Sequence, residues 1–267
     1  MSGEASQALV DRIVQHSPTY LEWLEKQAKE SKDTQLRAKA LVWFINHHQN
    51  ALTALPMLKQ QLFQEQSNYE ESWRVRQTIV SLLFKHYRHL PETLPWLKEQ
   101  AQRDDCVGMS IAHNIAKYFP DDPATVPTLI ALAKSDKSSH VRRAAAWRLG
   151  KDFCDASETL PLLKFLSVHD ESPYVRRTAI RRVSKAFGED PEMLELLCEI
   201  AKNDPFVRED EREYGPRIAA LKSLLEVYPT HPKPIELLRD RAINDPDEQL
   251  REWAQQKLTE WENDRVG

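Results

Sequence analysis

One pattern of apolar positions occurs seven times along this chain of 267 residues. In each copy an apolar anchor residue is followed three positions later by a leucine. The anchors are Leu21, Leu55, Leu94, Val126, Leu160, Leu194 and Ile235, at intervals of 34, 39, 32, 34, 34 and 41 residues. Self-similarity at this period is typical of helical repeats, in which each helix pair buries its apolar face against its neighbours. The pattern predicts a chain built of seven helix pairs.

The first helix of each pair, helix A, has recognisable start and stop signals. Three copies open with Thr-x-Pro, at Thr93, Thr125 and Thr159. There the hydroxyl is expected to cap the first turn, and proline has no N–H that would need a partner. In five copies an aspartate ten positions after the anchor marks the end of helix A. These aspartates are Asp104, Asp136, Asp170, Asp204 and Asp245.

The second helix, helix B, begins around a Val-Arg pair or its equivalent, such as Val175-Arg176 in the fifth copy. Counting from the valine, apolar residues return at positions 4, 5, 8 and often 12. In the fifth copy these residues are Ala179, Ile180, Val183 and Phe187. This spacing is the period of an α-helix that buries one face.

The arginine of the Val-Arg pair falls, by its helical angle, within the buried face. It is present in six copies, as Arg37, Arg76, Arg142, Arg176, Arg217 and Arg251. A buried guanidinium needs acceptors, and the aspartate at the turn between helices A and B is the obvious one. We therefore predict a ladder of Arg–Asp pairs that ties neighbouring helix pairs together. An arginine repeated in six copies indicates architecture rather than catalysis.

The combined pattern L-x-x-L…D…V-R-x-x-A-x-x-x-L resembles the HEAT-repeat family, in its short bacterial form, over about residues 18–262. The resemblance implies an all-α, right-handed α-solenoid of about seven HEAT-like helix pairs over residues 18–267, preceded by an N-terminal capping segment at 1–17. The last two copies are similar to repeats that lie C-terminal to NACHT-type nucleotide-hydrolysing modules in cyanobacteria and related bacteria. Because the chain has no GxxxxGK[ST] phosphate loop, the resemblance implies only the scaffold role of such repeats.

Composition adds little to this picture of a scaffold. The net charge of −4 gives no global reason to expect nucleic-acid binding. No apolar run approaches the ~20 residues of a membrane span, and the N-terminus lacks the features of a signal peptide. The three cysteines are far apart and form no CxxC motif, which favours reduced thiols. We expect a cytoplasmic bacterial protein that makes no membrane contact.

A row of mostly basic residues lies on the face of helix B opposite the core, at positions 2, 6 and 10 after the valine. We call this row the basic stripe: Lys117, Arg143, Trp147, Lys151, Arg177, Arg181 and Lys185. In HEAT-like solenoids the B helices line the concave face. Although a charged helix face is often only solvated, the density of arginines favours an acidic or phosphate-bearing partner. The sequence predicts a non-catalytic scaffold that binds a protein with an acidic surface through this stripe.

Two other functions stay open at this point. The stripe could bind nucleic acid, with Trp147 stacking on a base, or the same ring could simply pack over aliphatic stems. The chain could also be an enzyme-associated subunit, since HEAT-like repeats of phycobilin-lyase type look broadly alike. The sequence contains neither HExxH nor any His-Glu pair, whereas HEAT-like metal hydroxylases bind iron through repeated His-Glu pairs. We expect no metal, no cofactor and no catalytic residues.

The two longest intervals between anchors predict insertions. One is Gln64–Ser72 and the other is Phe206–Gly215, which is crowded with charges of both signs. Both are predicted to be loops, and loops on repeat scaffolds often lie beside the binding surface.

Overall fold

The computed structural model describes residues 18–47, 51–64, 69–101, 105–135, 137–208 and 215–266. In these ranges the chain forms fourteen α-helices and no strands, which confirms the predicted all-α class. The predicted capping segment 1–17 lies outside the described residues, as do the predicted helix-ending residues Asp104 and Asp136.

The helices fall into two compact units, Met1–Asp121 and Asp122–Gly267. The first unit contains α1 (Pro18–Glu30), α2 (Thr34–His47), α3 (Ala51–Gln64), α4 (Tyr69–Tyr87), α5 (Thr93–Ala101) and α6 (Asp105–Tyr118). The second unit contains α7 (Thr125–Ser135), α8 (Ser139–Asp152), α9 (Thr159–His169), α10 (Pro173–Phe187), α11 (Met193–Asn203), α12 (Pro216–Val227), α13 (Pro232–Asn244) and α14 (Glu248–Val266).

Consecutive helices pack as pairs within each unit, and these pairs are the predicted A and B helices. Each odd-numbered helix contacts the even-numbered helix that follows it. The even-numbered B helices also contact one another, α2 with α4 and α4 with α6 in the first unit, and α8 with α10 and α10 with α12 in the second. Thus a residue on one B helix has neighbours on the next B helix, about one repeat away in sequence.

The buried faces of the B helices follow the predicted register. In α10 the residues Val175, Ala179, Ile180 and Val183 are fully buried, whereas Phe187 at the end of the helix is half-buried. The helix begins with Pro173 in its first turn, where the missing N–H leaves no intrahelical bond unmade. The apolar period of the sequence therefore sets the rotation of this helix about its axis.

Arg–Asp pairs connect neighbouring helix pairs throughout the second unit. Arg142 donates from Nε and Nη2 to the two carboxylate oxygens of Asp170, at 2.8 and 2.9 Å. Arg176 makes the same two contacts with Asp204, at 2.6 and 3.0 Å. Arg217 makes them with Asp245, at 3.1 and 3.0 Å. The predicted ladder is confirmed here, and each arginine binds the aspartate that ends helix A of the following pair, 28 residues later.

The ladder residues also hold the turns between helices A and B. Nη1 of Arg176 donates to the carbonyl oxygen of Asp170 at 2.8 Å, and Nη1 of Arg217 donates to that of Asp204 at 2.7 Å. Each ladder carboxylate in turn accepts the backbone N–H two residues later, as Asp170 does from Ser172 at 2.8 Å. Each of these guanidinium groups thus makes hydrogen bonds to the A–B turn of its own helix pair and to the A–B turn of the next pair. The charges are buried, but their hydrogen-bonding groups have partners.

In the first unit the arginines at the same position are held by shorter-range contacts in the described ranges. Arg76 is fully buried and donates from Nη1 to Ser72 Oγ at 3.0 Å. Arg37 donates to the backbone oxygen of Ser31, at the turn that precedes α2. Asp104, the aspartate 28 residues after Arg76, lies outside the described residues.

Two local predictions are wrong. The threonines of the three Thr-x-Pro segments are not N-caps but the first residues of α5, α7 and α9. The buried Thr159 hydroxyl donates to the Phe153 carbonyl oxygen at 2.8 Å instead of capping a turn. The predicted insertion Gln64–Ser72 is not a loop throughout. Gln64 ends α3, and α4 already begins at Tyr69, so that an extra helical turn precedes Val75. Residues 65–68 lie outside the described ranges.

Candidate binding surface on the B helices

The structure places six of the seven stripe residues on two B helices that contact each other. Arg143, Trp147 and Lys151 lie on α8, and Arg177, Arg181 and Lys185 lie on α10. None of the six is buried, and Lys151, Arg181 and Lys185 are exposed. The seventh, Lys117, lies on α6 in the first unit, is exposed, and has its ammonium 4.9 Å from the centre of the Tyr118 ring.

Arg181 contributes to the lowered pKa values of three neighbouring cations on this surface. Burial lowers the pKa of Arg177, and the charges of Arg143 and Arg181 lower it further. Burial and the charge of Arg181 likewise lower the pKa of Arg182. On the next B helix, α12, burial lowers the pKa of Lys222, with Arg181 and Lys257 adding to the effect. Like charges on α8, α10, α12 and α14 therefore act on one another here, and Asp152 and Glu226 offset part of this effect at Arg182 and Lys222.

Trp147 holds three of these cations against its ring. The side-chain charges of Arg148, Lys151 and Arg182 lie 5.0, 4.7 and 4.7 Å from the centre of its ring. Arg148 is fixed further by Asp152, which accepts from its Nη1 at 2.8 Å. Cations over an indole face are stabilised by the ring quadrupole. Trp147 is therefore a platform that positions cations from both α8 and α10.

Gly150 makes the approach of Arg182 to α8 possible. A Cβ atom at this position would lie 2.6 Å from Arg182 Cβ and 3.0 Å from Leu163 Cδ1. Because Arg182 Cβ is close to the backbone of α10, it cannot move away as the end of a flexible side chain could. The absence of a side chain at Gly150 thus sets the separation of α8 and α10 beneath the stripe.

Gly150→Ala is expected to destabilise the fold by about 1–3 kcal/mol, since overpacking outweighs the gain of about 1 kcal/mol in helix propensity. The same change should move Arg182 away from Trp147 and shift the tryptophan emission. Urea unfolding followed by fluorescence measures both effects, with Ser139→Ala in the first turn of α8 as a control. A Gly150→Ala protein as stable as the control would contradict the close packing of the two helices.

A groove of about 1220 Å³ runs between α10 and α12. Its basic side is formed by Arg177, Arg181, Arg182, Lys185 and Lys222, and we call it the basic groove. Ser184 Oγ donates to Ser223 Oγ at 2.9 Å across its floor, which joins the two helices. Glu189 and Glu226 also line it.

One end of the basic groove is apolar. Phe187, Val227 and Tyr228 lie there, and the Tyr228 hydroxyl donates to the Gly188 carbonyl oxygen at 2.6 Å. That hydrogen bond fixes the tyrosine ring between the ends of the two helices. The groove therefore offers several guanidinium and ammonium groups along its length and an apolar contact at one end.

Sequence reasoning missed Lys257 and the apolar end of the groove. Lys257 stands seven residues after Leu250, the same offset that separates Arg148 from Val141 and Arg182 from Val175. This shared offset could have identified Lys257 from the sequence. No comparable signal existed for Phe187 and Tyr228, because their meeting depends on how two helix ends pack.

Comparisons with protein families, with curated proteins and with solved structures found no match for this chain. Among the described side chains, no three His, Cys, Asp or Glu residues come together in a way that could hold a metal ion. No helix in the described ranges combines the length and apolar character needed to cross a membrane.

Proposed function

We propose that this chain is a non-catalytic HEAT-like scaffold that binds an acidic protein partner through the basic stripe. One observation carries the proposal: five cations of α10 and α12 line a single groove between two B helices that contact each other, namely Arg177, Arg181, Arg182, Lys185 and Lys222. Crowded like charges reduce the stability of a fold, and a bound partner of opposite charge would offset that repulsion.

The proposed architecture is a right-handed α-solenoid of about seven helix pairs over residues 18–267, with its B helices on the concave face. Pairwise packing of A and B helices supports it, as do the direct contacts between successive B helices. The ladder spacing of 28 residues, the same at three joints, is the regularity expected of repeats that pack in one register.

Binding without catalysis is the role that these side chains suit best. Arginine keeps its proton at all physiological pH values, so it cannot serve as a general base, whereas its planar fork binds carboxylates with two hydrogen bonds. Trp147 holds the charged ends of Arg148, Lys151 and Arg182 close to its ring and so concentrates cations at one place on the surface. The proposed contact residues are Lys117, Arg143, Trp147, Lys151, Arg177, Arg181 and Lys185.

The test is a charge reversal at the centre of the stripe. Arg177→Glu together with Arg181→Glu should abolish capture of the native partner, identified by mass spectrometry with the wild-type chain as bait. The melting midpoint should move little, because neither residue belongs to the core. Lys134→Glu with Lys202→Glu, at exposed sites on α7 and α11, is the matched control. Equal capture by both double variants would remove the stripe from the binding surface.

Nucleic acid is the competing partner, and salt dependence separates it from protein. A nucleic-acid complex should retain absorbance near ~260 nm, and its affinity should fall linearly with the logarithm of salt concentration as counterions are released. Binding of a labelled DNA strand that disappears in the Arg177→Glu, Arg181→Glu variant would assign the stripe to nucleic acid. If the wild-type chain does not retain DNA at physiological salt, the proposal of a protein partner is supported.

A further inference from the structure

We infer that the basic groove binds a short, extended acidic segment of the partner whose acidic residues alternate with uncharged ones. This inference rests on the proposed function and makes it more specific. It commits to a peptide segment with a defined spacing of carboxylates, in place of an acidic surface in general.

The spacing of cations on α10 carries the inference. Arg177, Arg181 and Lys185 follow one another at intervals of four residues along one side of the groove. Four residues of an α-helix rise about 6 Å, and every second residue of an extended strand is about 6.6 Å from the last. Over three such contacts the mismatch is roughly 1 Å, which long arginine and lysine side chains absorb. Alternate residues of an extended segment thus match successive turns of α10.

Two carboxylates among the cations of the groove disfavour a uniform polyanion. Glu226 lies one turn from Lys222 on α12, and Glu189 follows the end of α10. A nucleic-acid backbone, with a negative charge on every unit, would meet these carboxylates. A peptide that alternates acidic and uncharged residues can turn its acidic side toward the row of cations on α10 and place an uncharged residue beside Glu226.

The apolar end of the groove fixes the direction and length of the segment. Phe187 comes two residues after Lys185, the last cation of the row, and Val227 and Tyr228 line the groove from the end of α12. An apolar side chain placed immediately after the acidic residues would contact them. The preferred segment therefore has glutamate or aspartate at every second position and a leucine-like residue at one end.

The experiment measures fluorescence anisotropy of labelled peptides added to the full chain. The first probe alternates glutamate with alanine and ends in leucine, and the second has the same composition with its glutamates grouped together. The alternating peptide should bind at least about tenfold more tightly than the grouped one. Arg181→Glu should weaken the alternating peptide by about tenfold or more, whereas Lys202→Glu on α11 should leave it unchanged.

A second variant tests the same inference in case the Arg181→Glu protein does not fold. Lys185→Glu changes an exposed residue near the end of α10 and should weaken the same peptide while leaving the melting midpoint in place. Replacing the terminal leucine of the peptide by serine should reduce affinity several-fold through loss of the apolar contact.

The two proposals fail in different ways. If charge reversal at Arg177 and Arg181 abolishes partner capture but the alternating peptide neither binds nor displaces the partner, the groove inference is overturned and the scaffold function stands. Equal binding of alternating and grouped peptides overturns the spacing argument. Tighter binding of a phosphorylated peptide or of single-stranded DNA than of the alternating peptide also overturns it. Displacement of captured partner by the alternating peptide supports both proposals.

Discussion

Arg142→Ala is expected to lower the free energy of unfolding by about 3–5 kcal/mol, because it leaves the Asp170 carboxylate buried without its partner. The side chains of Arg142 and Asp170 are only 6% and 4% exposed, so water cannot replace the lost hydrogen bonds. The same carboxylate caps the turn before α10, and its disturbance should reach that helix. Urea unfolding at neutral pH, followed by circular dichroism, measures the change.

The neighbouring arginine is the matched control for this prediction. Arg143→Ala, one position along α8 and only half-buried, should cost less than about 0.5 kcal/mol. Arg142→Met keeps the apolar stem while removing the charge, and it should be nearly as damaging as alanine. In a double-mutant cycle, Arg142→Ala and Asp170→Ala should show strong coupling. Equal urea midpoints for the Arg142→Ala and Arg143→Ala proteins would contradict the assignment of buried and outer faces.

Ending the chain before Ile235 is expected to cause self-association. This truncation removes most of α13, which packs against α11 and α12, and all of α14, which packs against α13. Leu197 and Leu224 are fully buried in the whole chain, and removing the last pair is expected to uncover apolar surface around them and around the partly buried Leu194. A repeat protein needs a terminal pair with a polar outer face, since each pair buries its core only against its neighbours. Size-exclusion chromatography over a range of protein concentrations measures the association.

A chain that ends at Glu262 serves as the control for the truncation. It keeps Leu258, the last core residue of α14 among those described, and should remain monomeric and fully helical. If the chain that ends before Ile235 also stays monomeric and folded, stability in this protein does not depend on contacts between adjacent pairs.

The rotation of each B helix could be predicted from sequence because it depends on a local pattern. Val175, Ala179, Ile180 and Val183 repeat with the helical period, and burying one face of α10 satisfies all of them. The burial of Arg176 could be predicted from the same helical period, which places this residue on the buried face of α10. Its bonding to Asp204 in the following pair, by contrast, depends on how two helix pairs stack, which sequence spacing alone does not specify.

The local errors have a common physical origin. A threonine hydroxyl can accept a hydrogen bond as a cap or donate one to a nearby carbonyl, and at Thr159 the loop at Phe153 decides the outcome. The length of the interval before Val75 indicated extra residues but not whether they form a loop or a longer helix. Contact between Arg182 and Trp147 needs the close approach of α8 and α10 at Gly150, which no periodicity reveals.

Because the ladder spacing is constant, a helix pair of the second unit could be lost or duplicated in the gene as a whole. Arg142 and Arg176 are 34 residues apart, and so are Asp170 and Asp204. Loss of the coding sequence for residues 170–203 would bring Arg142 into register with Asp204, and duplication would create one more joint of the same kind. The interval before Arg217 is longer, but its extra residues fall between Asp204 and Arg217. The spacing between Arg217 and its partner Asp245 is therefore still 28 residues. Recombination could therefore change the number of helix pairs, and with it the length of the surface available to a partner, while keeping an Arg–Asp pair at each joint.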